Sequence, residues 1–165
     1  MALIKISGNT DRISAALSRL EKLGREPNAL LSDIGLKMVD RTKERIEREV
    51  SPDGSPFAPL NPLYASTKKG PGILRESGSL RRTIYKQIEG NRLIWGSNMN
   101  YAAVHQFGAI IKPKTQSALE FSIGGRVFKR QSVTIPARPY LGFNEADRQA
   151  TVETLQTFFR RCLAG

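Results

Sequence analysis

The sequence predicts an α+β fold: two N-terminal helices, a central antiparallel sheet with a projecting loop and hairpin, and a C-terminal helix. Three observations carry this reading. Apolar residues recur at helical spacing through the first 50 positions, short alternating segments separated by glycine turns fill 83–135, and a helical pattern returns after Pro139. At 165 residues and 39% hydrophobic content, the chain fits one domain spanning 1–165 with its own core.

The first helix is expected from about Asp11 to Leu23, with Thr10 as N-cap and Gly24 at its end; Ile13, Ala16, Leu17 and Leu20 share one face. Pro27 suits the first turn of a second helix, which Ser51-Pro52 stops. Leu30, Leu31, Ile34, Met38, Ile46 and Val50 are its apolar positions. Its charged later half reads as a solvated face, supported by Lys43–Glu47, Glu44–Arg48 and Arg45–Glu49 at i,i+4, or as a helix projecting onto a neighbouring subunit.

Residues 51–72 hold five prolines and three glycines, with a turn at Asp53-Gly54, so regular structure is not expected there. Phe57, Leu60, Leu63 and Tyr64 nonetheless punctuate the loop as anchors, either on the protein's own sheet or on a partner. A short helical turn opens at Ser77-Gly78. Thr83–Ile88 and Arg92–Gly96 pair across Glu89-Gly90-Asn91, with Trp95 in the core. Tyr101–Phe107 forms a short helix ending at Gly108. Strands follow at 109–111, 119–123, 126–129 and 133–135, the middle two joined by Gly124-Gly125. The last helix runs from about Asn144 to Leu163, with Ala146, Ala150, Leu155, Phe158 and Phe159 among its apolar positions.

Charge is the strongest compositional signal. Lys+Arg total 26 against 15 Asp+Glu, a net charge of +11, and such an excess attracts polyanions through counterion release. The cations are scattered rather than gathered in a tail, so DNA, RNA and acidic protein surfaces all qualify. Enzyme chemistry finds little to build on. His105 is the one histidine and Cys162 the one cysteine, which rules out histidine cages, a zinc-binding cysteine set and an internal disulfide. Phosphate loops, dinucleotide fingerprints and nucleophile elbows are missing, and Gly70-Pro71-Gly72 reads as a linker. Asp33, Asp40, Asp53, Glu120 and Asp147 show no metal-binding spacing. No catalytic, cofactor or metal site is assigned. Nor is there a membrane span or secretory signal, and a cytoplasmic setting is expected.

Four phrases in fixed order remain: DGSPFAPL at 53–60, ILRESGSLRRTI at 73–84, YAAVHQFGA at 101–109 and IPARPYLGF at 135–143. They resemble the signature stretches of the phage virion morphogenesis family, the tail-completion proteins of Mu-like and related tailed bacteriophages. The resemblance runs from the first helix through the last. Phe57 stands where relatives usually carry tryptophan, and 112–132 is the least typical stretch. The resemblance implies a non-enzymatic virion protein that acts late in assembly, at the head-proximal end of the tail or in the neck. It also implies neighbouring phage neck and tail proteins as partners and a ring of copies, six being favoured, around the DNA channel. Within that frame Phe57, Leu60 and Tyr64 anchor the proline loop, Tyr101, His105 and Phe107 fix the short helix, and Arg138, Pro139 and Tyr140 turn the chain into the last helix. Lys112, Lys114, Arg126, Lys129 and Arg130 meet DNA or an acidic neighbour. Two other readings stay open: a tail terminator that sets tail length, and a general nucleic-acid-binding module.

Overall fold

The computed structural model describes residues 11–164, so the Thr10 cap lies outside the described residues. Its elements are α1 (Asp11–Arg25), α2 (Asn28–Arg48), α3 (Pro62–Thr67), α4 (Ser79–Arg82), β1 (Tyr85–Glu89), β2 (Arg92–Gly96), α5 (Ala102–Phe107), β3 (Ala109–Ile111), β4 (Leu119–Ile123), β5 (Arg126–Arg130), β6 (Val133–Ile135) and α6 (Glu145–Ala164). The class is α+β. The expected central sheet is instead three separate two-stranded antiparallel ribbons, β1-β2, β3-β6 and β4-β5. Their turns explain the division. Two-residue connections at Gly90-Asn91 and Gly124-Gly125 pair β1 with β2 and β4 with β5, while β3 and β6 pair with each other on either side of the β4-β5 hairpin in sequence.

α2 is the spine. The β1-β2 ribbon lies on its first half, so tightly that a Cβ on Gly35 would meet the Leu93 and Lys86 side chains at 2.7 Å. α6 packs against another side, and α1 packs on α6. The core joins Val39 and Ile46 to Phe57, Leu80, Ile84, Ala102 and Tyr140. Ile46 and Tyr140 are essentially inaccessible, and full burial of one such side chain contributes about 1.5–3 kcal/mol.

The charged half of α2 is solvated on one face, where Asp40, Glu44, Glu47 and Arg48 are exposed, but packed on the other. Thr42, Arg45 and Ile46 are buried, and Arg45 and Arg41 both donate to the fully buried carboxylate of Asp147 on α6. Glu44 does pair with Arg48, at 3.4 Å, but Glu47 goes to Arg81 at 2.6 Å and Glu49 to Arg75 at 3.3 Å. Charge that looks solvated in sequence is thus used for packing.

Smaller departures have local causes. α1 runs through Gly24 to Arg25, and of its apolar face Ala16 and Leu20 are half-buried while Ile13 and Leu17 stay exposed. The proline loop contains a helix after all, because Asn61 accepts from the Leu63 and Tyr64 amides and Pro62 supplies a preset φ at the first turn. Thr83 closes α4 by donating its hydroxyl to the Ser79 carbonyl at 2.9 Å, which delays β1 until Tyr85. At the start of α6, Asn144 and Asp147 each accept from the other's amide at 2.9 Å, a reciprocal cap.

Candidate partner-binding cleft and basic hairpin

Five of the eight predicted anchors meet around one cleft of about 270 Å³: Leu60, Tyr64, Tyr101, His105 and Arg138, with Leu74 and Leu80 completing its apolar wall. α3 supplies Tyr64, α5 supplies His105, the N-cap of α5 is Tyr101, and the segment after β6 supplies Arg138. Leu74 is held at φ +60°, a conformation that disfavours a branched side chain. Nearby, Gly72 at φ +116° leaves no space for a side chain, because a Cβ there would sit 2.0 Å from Glu49 Oε1. That carboxylate accepts from the Ile73 amide at 2.9 Å and ties the loop to the end of α2. The glycines read as a linker therefore pack as a wedge.

Arg138 is the structural key of the cleft. Its Nε donates to the Ala58 carbonyl at 2.6 Å and its Nη2 to Pro59 at 2.8 Å, while its amide donates to the His105 carbonyl at 2.7 Å. One residue thus joins proline loop, α5 and the segment leading to α6, and burial lowers its pKa. His105 meets Tyr101 edge to face with ring centroids 5.7 Å apart. Burial, and then the charge of Arg138, depress the His105 pKa, so the imidazole is neutral near pH 7. Among the described residues its Nδ1 is buried with no hydrogen-bond partner. At the rim, Lys68 pairs with Glu76 at 2.8 Å, and the Tyr64 hydroxyl donates to the same carboxylate. The Lys68 bond is the main cause of a lowered Glu76 pKa. Tyr64 shifts upward, first through burial and then through the Glu76 charge.

The other three anchors lie elsewhere. Phe57 is in the core, its amide donating to the Glu49 carbonyl at 2.8 Å. Tyr140 is 1% exposed and donates to the Ala102 carbonyl, with burial foremost in raising its pKa to about 12. Phe107, by contrast, is 78% exposed, so its ring does not brace α5 within the protomer. That brace is Gln106, unmarked by the sequence reading, whose amide accepts from the Tyr140 and Leu141 amides and donates to the Leu141 carbonyl. Its one sequence signal is a spacing of four from Ala102, which places both on the inner face of α5.

The five predicted cationic contacts are all exposed, three of them on β5 and the other two on the link from β3 to β4. Phe121 and Phe128 stack across the β4-β5 ribbon at 5.8 Å, and the Arg130 guanidinium lies over Phe128 at 5.7 Å. Lys129 pairs with Glu120 at 3.1 Å. The tip turns back toward the body, where Gly124 lies against Thr67 of α3. Among the described residues, no cluster of three His, Cys, Asp or Glu is arranged to hold a metal, and no helix is long and apolar enough to cross a membrane.

The chain is 26% identical over 153 residues to Mu-like prophage FluMu G protein 2 of Haemophilus influenzae, with 92% of each chain covered. It is 22% identical over 152 residues to Tail completion protein S of Escherichia phage P2, covering 92% of this chain and 95% of that one. No solved structure matches it. The family model for phage virion morphogenesis matches residues 8–160, from the first helix through nearly all of the last, and the chain belongs to the phage virion morphogenesis family.

Proposed function

We propose that this chain is a structural, non-catalytic virion protein. In this reading it completes the head-proximal end of the phage tail or joins tail to head, as a ring of copies, six being favoured, around the DNA path. The observation that carries the reading is the family match over 8–160, supported by a similar protein named for tail completion. The geometry supports it too. Arg138 in the cleft holds the Ala58 and Pro59 carbonyls, and Gln106 on α5 holds 140–141, so both tie backbone segments together, as suits a rigid assembly part.

Partners are then neighbouring neck and tail proteins, met in the host cytoplasm during assembly and in the virion afterwards. The exposed cations Lys112, Lys114, Arg126, Lys129 and Arg130 supply non-specific proximity to DNA, which suits a channel that must let the genome pass. The direct test is electron microscopy of lysates from a phage with this gene disabled. Filled heads beside free tails of normal length are expected. Overlong tails would make it a length terminator, and normal infectious particles would overturn the assembly role and favour a nucleic-acid-binding module.

A further inference from the structure

α5 presents two unlike surfaces on opposite sides. His105 and Phe107 stand two residues apart, so their side chains leave the helix about 200° from one another. His105 faces the cleft described above, whereas Phe107 points outward with 78% exposure. On β3 the neighbouring Ile110 and Ile111, 66% and 40% exposed, leave opposite faces of the strand, so Phe107 is the apolar group that α5 itself presents on this side. An exposed phenyl ring on one side of a protomer and an aromatic-lined cleft on the other are what a head-to-tail contact requires.

We propose that Phe107 of one copy inserts into the Leu60–Tyr64–Tyr101–Arg138 cleft of the next. This rests on the ring reading above and names its subunit contact. A volume of about 270 Å³ admits a phenyl ring, and the walls offer it aromatic and aliphatic surfaces. Charge agrees as well. Arg138 lines the cleft and offers its guanidinium to the electron-rich ring, and Glu76 at the rim, 47% exposed, offers a carboxylate to Lys112 or Lys114, which follow Phe107 in sequence. Because Phe107 and the cleft lie on different sides of α5, each inserted ring leaves the next cleft free. The contact therefore propagates and closes into a ring when its rotation permits.

Two single-cysteine chains, Ala103→Cys and Ser77→Cys, both in a Cys162→Ser background, test this; Ala103 lies one turn before Phe107 on the same exposed face of α5, so the inserting ring is kept. They are treated with a short bifunctional thiol crosslinker, each alone and mixed, as concentrated full-length protein and in assembled particles. Ser77 lines the cleft and is exposed, and Ala103 is exposed, so neither change touches the core or removes Phe107. Dimers are expected from the mixture and not from either chain alone. Phe107→Ala should lower the association constant about thirtyfold while leaving the melting temperature unchanged. Ala103→Cys crosslinking to itself would mean a symmetric contact and overturn the proposal. Oligomers without a crosslink in the mixture would overturn it while sparing the ring. A chain that is monomeric in both settings would remove the ring and this contact together.

Discussion

Asp147 combines two tasks in one carboxylate, capping α6 through the Asn144 amide and receiving Arg41 and Arg45 from α2. Burial alone would raise its pKa, but the bonds from Arg41, the Asn144 amide and Arg45 outweigh it and hold the group below 3.8. A depressed carboxylate stabilises the fold above its unfolded value, and that contribution is lost as pH falls through the lower folded value. Asp147→Asn leaves two arginines facing a neutral amide, one of them buried, and should cost about 3–5 kcal/mol by chemical denaturation. His105 acts at a milder pH. Its pKa lies below 6.5 in the fold, so the unfolded chain binds the proton more readily. Stability is then full above pH 6.5 and declines as pH drops through the folded value. Melting temperature recorded from pH 8 to 5 should fall in wild type and stay flatter in His105→Gln. Gly72→Ala combines a positive φ with the Glu49 contact and should cost at least about 2 kcal/mol, measured in the same way.

Element by element, what was legible in the sequence was what is decided locally. The Gly124-Gly125 hairpin, the α5 stop at Gly108 and the start of α6 near Asn144 each follow from a few adjacent residues. What escaped was decided at a distance. Arg45 reads as solvated because its partner Asp147 lies 102 positions away, and the buried face of α2 is visible only once α6 is in place. The cleft shows the same division, since its residues were singled out one phrase at a time, whereas Arg138 bonds carbonyls 79 and 80 positions earlier to bring them together. The β4-β5 ribbon is the element whose proposed role depends least on the rest of the fold. Arg126, Lys129 and Arg130 are exposed, so changing all three to glutamate should leave the melting temperature within a degree or two of wild type. Head-tail joining or genome ejection should suffer, as plaque counts and particle morphology would reveal; normal joining and ejection would refute the charge argument.

For the whole molecule, a charge of +11 both helps and hinders the proposed ring. In such a ring, copies would repel one another until something neutralised them, and a polyanion passing through the centre would supply that neutralisation. Grip must nevertheless stay weak, because a subunit that held DNA tightly would retard the genome it lets through. Five exposed cations contacting duplex phosphates correspond to a slope of about −4.5 in log affinity against log salt. The free chain should accordingly bind DNA without sequence preference, in the non-specific range of about 10⁻⁴–10⁻⁶ M at physiological salt. Replacing Arg126, Lys129 and Arg130 by glutamine should make the slope shallower by about 2.7, at roughly 0.9 per lost phosphate contact. Nanomolar binding by the monomer, or clear preference for one sequence, would instead identify a nucleic-acid-binding module. Affinity that stays weak in the monomer and rises when crosslinking through the Phe107 contact closes the ring would show that several copies surround the strand together, each holding it loosely enough to let it slide.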